Sequence, residues 1–323
     1  MLEPLVLATG MHAFWGLLSE TFNEWMEDKA PRLGAALSYY AAFSIAPLFL
    51  LLVASVGFIF KGDTLLQVED QIAAIAGDNA AEAMAAIIRG VKSSPGGGRA
   101  TILSVITLFI AATGMFGQLQ DAMNTIWEVT PKPRRFWIDI LRTRFLSFAL
   151  VVGIGVLLLG SVLLSAFLAA ASRYFQHMYP MTGPIWPIVD FSVSFAITTM
   201  LFALIFKILP DVHIHWRDVW LGAAVTAALF AIGKIGIGFY LGRSSFQSAY
   251  GAAGSFLILL AWVYYSSQIL FFGAEFTQVY TIRRGRRFRP ARGARFLTEE
   301  MRIHQGIPHT KVVEEAFKRG KIA

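Results

Sequence analysis

Residues 255–274, SFLILLAWVYYSSQILFFGA, form an uncharged, mainly apolar run. Its length matches the ~20 residues that a helix needs to cross a bilayer. The run stops at Glu275, and Arg283-Arg284 follow a few residues later. Working back along the chain, comparable stretches occupy Leu33–Phe60, Ala100–Trp127, Phe145–Ser172, Phe191–Phe206 and Trp216–Leu241. Phe191–Phe206 needs Ile185–Asp190 to reach spanning length, and Trp216–Leu241 contains Lys234. The composition fits lipid as the solvent: 56% of residues are hydrophobic and 15% are charged, against about 25% charged in soluble domains.

The expected fold is all-α: a polytopic membrane protein of six transmembrane helices. Between helices 1 and 2, Leu65, Val68, Ile72 and Ile75 repeat at helical spacing. Gly77-Asp78-Asn79 interrupts the pattern, and Ala83, Met84, Ile87 and Val91 resume it. This predicts an external amphipathic helical pair lying on the bilayer or capping the bundle. The chain therefore divides into an N-terminal segment 1–32, a membrane domain 33–281 that includes the external pair 61–99, and a basic tail 282–323. Lysine and arginine set the orientation. The connections on one side carry 21 of them and those on the other carry 6, with Lys234 inside a span. Both termini are expected on the basic, cytoplasmic side. No cleavable signal peptide is expected, so the first span would act as an uncleaved targeting signal.

Charged groups inside such spans cost roughly 2.5–3.5 kcal/mol on insertion scales and usually face protein or water. Gln118, Asp121, Thr125 and Glu128 share one helical face, with Asn124 beside them. In the sixth span Tyr264, Gln268, Phe271, Glu275 and Gln278 share another. Two readings stand for these faces: a polar cavity, or bonds that hold helices together. Lys234 lies roughly 27 Å from the cytoplasmic start of its helix at ~1.5 Å per residue, too far along to meet Glu275. Asp190 is better matched to it in depth, and outward snorkelling is the alternative. Tyr40, Ser44 and Pro47 complete the candidate intramembrane set, Pro47 freeing a backbone carbonyl. Gly222, Gly233, Gly236 and Gly238 suit close helix approach.

Enzymatic chemistry finds little footing. The chain has no cysteine, which removes thiol catalysis and cysteine-ligated metals. No phosphate-binding loop, dinucleotide turn, nucleophile elbow or zinc-protease helix occurs. His213-Ile-His215 with Asp218 is too few ligands for a metal centre, and His12, His177, His304 and His309 are scattered. No catalytic residue, metal or cofactor is expected. Arg283, Arg284, Arg286, Arg287 and Arg289 open a run of seven arginines that ends at Arg295. Directly after a span, such a run predicts anchoring to anionic lipid headgroups. Nucleic acid is not an expected partner, an envelope protein is a candidate partner, and the oligomeric state stays open.

Several segments taken in order carry a resemblance. They are Ala36-Leu-Ser-Tyr-Tyr40 with Phe43-Ser-Ile-Ala-Pro47, Leu119-Gln-Asp-Ala-Met-Asn-Thr-Ile-Trp127, and Leu209-Pro210 with Trp216-Arg-Asp218 and Gly222-Ala. Tyr250-Gly-Ala-Ala-Gly-Ser255, Trp262-Val-Tyr-Tyr-Ser266 and Gly273-Ala-Glu-Phe-Thr277 complete the set. Together they resemble the YihY/BrkB family of bacterial inner-membrane proteins, over roughly Trp25–Ile282. The resemblance implies six spans in the inner membrane with cytoplasmic termini. Members have carried ribonuclease and virulence labels, but no catalytic residues are established for the family and none is carried over. The functional expectation is envelope transport or lipid handling. The alternative is a non-catalytic, partner-binding scaffold, and a ribonuclease stands third.

Overall fold

The computed structural model of the protein describes residues 3–43, 114–132, 185–243, 252–310 and 312–313. The expected third span, the external pair at 61–99, and Ser44 and Pro47 lie outside the described residues. Within them the chain is mostly helical. Helix α1 runs Glu3–Glu27, and α2 and α3 cover 30–43 and 114–126. The long helices α4 (Ile185–Ile208), α5 (Trp216–Arg243) and α6 (Ala252–Arg283) follow, and α7 is Glu299–Gln305.

Three of these helices are long and apolar enough to cross a membrane, at Trp186–Ile208, Trp216–Gly236 and Phe256–Arg283. They coincide with the fourth, fifth and sixth expected spans. Their outer faces are apolar: Ile188, Phe191, Ile232 and Ile235 are all exposed, Ile235 at 76%. A soluble fold would bury such residues, whereas lipid accepts them. Helix α6 continues past the apolar run through Glu275 and Gln278 to Arg283. Those polar residues end the hydrophobic signal without ending the helix, since all favour or tolerate helical geometry.

The N-terminal segment is a 25-residue helix, α1. Its exposed residues include Phe14, Trp15, Phe22 and Met26, spaced so that they share a stripe. The all-α expectation also needs one addition, because two short antiparallel ladders tie distant segments together. Strand β1 (Val129–Pro131) pairs with β4 (Ala294–Phe296), and β2 (Val212–His213) pairs with β3 (Arg289–Pro290). The ladders extend through Ala291 N–H donating to the Asp211 carbonyl at 2.9 Å and Leu297 N–H to the Glu128 carbonyl at 2.7 Å. The segment after α6 is thus folded against the ends of α3 and of the α4–α5 hairpin.

The chain forms two compact units. The unit made of 32–119 and 234–267 holds most of α2, where the Tyr39 ring packs on Tyr40 and Phe43. The other, 1–31, 120–233 and 268–323, carries the residues below. Its core includes Trp127, Phe206, Phe271, Met123 and Ile126, all fully buried. Trp127 meets Phe288 edge-on at 5.2 Å, so β3 and its flanks close over α3.

Helices α5 and α6 cross in this unit through two reciprocal contacts. Gly222 faces Thr277, and Gly273 faces Thr226. Each helix thus supplies a Gly-x-x-x-Thr pair, the small-residue spacing that lets membrane helices approach. Each threonine hydroxyl donates to its own helix four residues back, Thr226 to Gly222 and Thr277 to Gly273, both at 2.7 Å. No hydroxyl is left unpaired at the crossing. Gly236, by contrast, faces open space.

Candidate functional site

The polar residues gather where α1 ends, α3 ends and the post-α6 segment folds back. Helix α1 stops at Asp28, followed by Lys29 at φ 53°. Asp28 is 3% exposed and accepts from the Arg302 guanidinium, which is 1% exposed, at 2.8 Å. Helix α7 positions Arg302 and closes on Gly306 at φ 72°, where Ile307 N–H returns to the Arg302 carbonyl at 2.9 Å. Only glycine adopts that left-handed turn cheaply. The Lys29 ammonium donates to the Gly306 carbonyl, fastening the turn to the end of α1.

That turn delivers His309. Its Nδ1 lies 2.6 Å from Glu299 Oε2, and its backbone N–H donates to Glu299 Oε1 at 3.0 Å. Nε2 lies 3.3 Å from Glu128 Oε1. Glu128 occupies a left-handed conformation, φ 50°, uncommon outside glycine. Glu24 and Glu27, one helical turn apart on α1, complete a group with His309, their ligand atoms all within 4.8 Å of one another.

Electrostatics here are crowded. Burial raises the Glu24 carboxyl above its ordinary range, and Glu27, Asp28 and Glu128 add to the effect. Burial pushes Asp28 up to about 6 despite its pairing with Arg302. Burial opposes charge on His309, but its hydrogen bond to Glu299 and the charges of Glu128 and Glu299 together outweigh it and raise the imidazole above its usual value. Burial also opposes charge on Glu299, and the bonds from His309 prevail to hold that carboxyl low.

Glu275 is fully buried on α6, and neither carboxylate oxygen has a hydrogen-bond partner among the described residues. The charges acting on it most strongly are Asp28, Glu24, Glu128 and Arg302. Two helical turns earlier, the Gln268 side-chain amide is likewise buried and unpaired. Gln278 is buried one turn later. On α3, Asn124 grips the α4–α5 turn: its amide donates to Asp211 Oδ2 at 3.0 Å and its carbonyl accepts from Asp211 N–H at 2.8 Å. Gln120 adds a 3.3 Å bond to the same carboxylate.

The other sequence candidates are dispersed. Asp121 is exposed and Gln118 half-buried. Tyr40 lies on α2 with its ring close against Gly114. Lys234 is exposed on α5, and Asp190 lies on α4 with its side chain outside the described set. Among the arginines, Arg283 pairs with Glu20, and Arg286 with the fully buried Asp218 at 2.7 Å. Arg284 stacks on Tyr280 at 4.6 Å. Arg287 and Arg289 are exposed. Sequence reading missed Asp28, Arg302, Glu299 and the role of His309. The one local signal was Glu24-x-x-Glu27 at helical spacing, just before Asp28.

The family model for virulence factor BrkB matches residues 21–297. The chain belongs to this family. Curated relatives of the BrkB-family chain carry the name UPF0761 membrane protein. One from Glaesserella parasuis is 30% identical over 186 residues, covering 55% of this chain and 61% of the relative. One from Tolumonas auensis is 27% identical over 182 residues, covering 55% and 57%. A longer match, to Paraburkholderia xenovorans, is 26% identical over 314 residues and covers 91% and 66%. The chain thus spans about three fifths of the first two relatives' length. No solved structure matches it. Family and apolar helices agree that this is a membrane protein.

Proposed function

We propose that this BrkB-family protein acts in transport or lipid handling in the bacterial inner membrane, with both ends of the chain in the cytoplasm. The observation that carries the reading is Glu275. It lies on a helix of membrane-spanning length, wholly buried, with no hydrogen bond to either oxygen among the described residues. A carboxylate retained only to hold helices together would show its partners. One kept without them, beside other acidic groups, suits an ion or proton pathway. The test is a lipid and metabolite profile of cells lacking the protein, complemented with wild type or Glu275→Gln. Glu275→Gln at wild-type abundance is expected to leave the profile altered. Full restoration at equal abundance sinks the transport reading and favours the partner-binding scaffold.

A further inference from the structure

The geometry points to a site for a divalent transition-metal ion, Mn2+ or Zn2+, held by Glu24, Glu27, Glu128 and His309. Glu24 and Glu27 project from one turn of α1, and their carboxylate oxygens and a His309 ring nitrogen lie within 4.8 Å of one another. Atoms bound to a common ion at ~2.0–2.2 Å lie roughly 3–4 Å apart. Small side-chain rotations close that gap. Glu128 Oε1 is already 3.3 Å from Nε2, where it adds a third carboxylate. His309 is held as metal-binding histidines are. Its Nδ1 is engaged by the Glu299 carboxylate at 2.6 Å, which leaves Nε2 as the coordinating atom.

A separate observation favours a cation over a mere acidic cluster. Glu275 is buried and has no hydrogen-bond partner among the described residues, and Glu24 and Glu128 are among the charges acting on it. Among the described residues, Glu24, Glu27, Asp28, Glu128 and Glu299 gather here with Arg302, His309 and Lys29 as cationic side chains, and the carboxylates outnumber the cations. Buried carboxyl groups are either protonated or paired with a counter-charge, and a divalent ion supplies two units of it. One imidazole among carboxylates suits Mn2+ or Zn2+ better than Mg2+ or Ca2+, which prefer oxygen alone. The inference goes beyond the transport reading, because metal binding is measured on purified protein without any transport assay.

The experiment uses the full chain in detergent, purified with a histidine-free tag, stripped with chelator and titrated with MnCl2 and ZnCl2 by calorimetry. One equivalent per chain is expected, with excess Mg2+ failing to compete. His309→Ala and Glu27→Gln should abolish the stoichiometric binding, and Glu299→Gln should weaken it roughly 10- to 100-fold. His213→Ala/His215→Ala should leave it unchanged. Thermal unfolding of each metal-free variant controls for folding, and Glu27→Gln covers the case in which His309→Ala misfolds. Absence of stoichiometric binding in wild type overturns the site. So does binding that survives Glu27→Gln, or binding lost with His213 and His215 instead.

Discussion

The crossing of α5 and α6 yields a prediction whose sign alone is diagnostic. An exposed glycine in a helix gains about 1 kcal/mol on replacement by alanine. At Gly222 the opposite is expected. An added Cβ would lie 2.8 Å from Thr277 Cβ and nearer still to its hydroxyl, whereas carbons settle at ~3.5–4.0 Å. The hydroxyl cannot swing aside without giving up its 2.7 Å bond to Gly273. The helices must therefore separate by roughly 1 Å, which also loosens the reciprocal Thr226–Gly273 contact. Overpacking of this kind costs about 1–3 kcal/mol, so Gly222→Ala should destabilise by about 2 kcal/mol. Thr277→Gly deletes the obstructing atoms, and the double variant should recover most of the loss. The coupling should fall in the ~0.5–3 kcal/mol range of contacting pairs. The assay is a double-mutant cycle of SDS-induced unfolding in mixed micelles followed by circular dichroism. If Gly222→Ala is as stable as wild type, or Thr277→Gly restores nothing, the packing argument is wrong.

Two further outcomes follow from the same unit. Arg302→Met should cost about 3–5 kcal/mol, because it strands Asp28 as a buried unpaired charge, while Asp28→Asn/Arg302→Met should recover most of that. Equal losses in the single and double variants, in chemical unfolding, would refute it. The Asp28 carboxyl sits at about 6 when folded against an ordinary value of 3.8, so between those values the native state holds a proton that the unfolded state lacks. This group therefore adds stability as pH falls from about 6 toward 4. In thermal melts from pH 7.5 to 5, the deficit of Arg302→Met against wild type should shrink, because losing Arg302 raises the Asp28 carboxyl further. That of Asp28→Asn/Arg302→Met should widen, because wild type gains from protonating Asp28 and the double variant has no group there to titrate. The orientation is also open to measurement, since the chain contains no cysteine to mask. Cysteines placed at the exposed Ser19 and Thr298 should react with an impermeant maleimide only after the inner membrane is opened. Labelling in intact spheroplasts would reverse the proposed orientation.

Hydropathy made α4, α5 and α6 legible because apolar length is a property of contiguous sequence. It fell short at α6's end, where Glu275 and Gln278 belong to the helix but not to the apolar run. It missed α1, whose Phe14, Trp15, Phe22 and Met26 are separated by polar residues and show only as a stripe. Glu275 stood out because a carboxylate so near a spanning segment demands a reason. Asp28, Arg302 and His309 could not stand out, since each is ordinary until folding brings α1 beside α7. The β1–β4 and β2–β3 ladders are too short to leave any periodicity.

The Asp28–Arg302 bond joins residues 274 positions apart in sequence. On the ribosome, Glu24, Glu27 and Asp28 therefore emerge long before the groups that neutralise them. Every membrane helix is made while that acidic end waits, and the fold can be locked only after α7 has left the exit tunnel. A protein interrupted between α6 and α7 would carry its apolar helices intact yet present an unsatisfied acidic end, a mark that separates unfinished copies from finished ones.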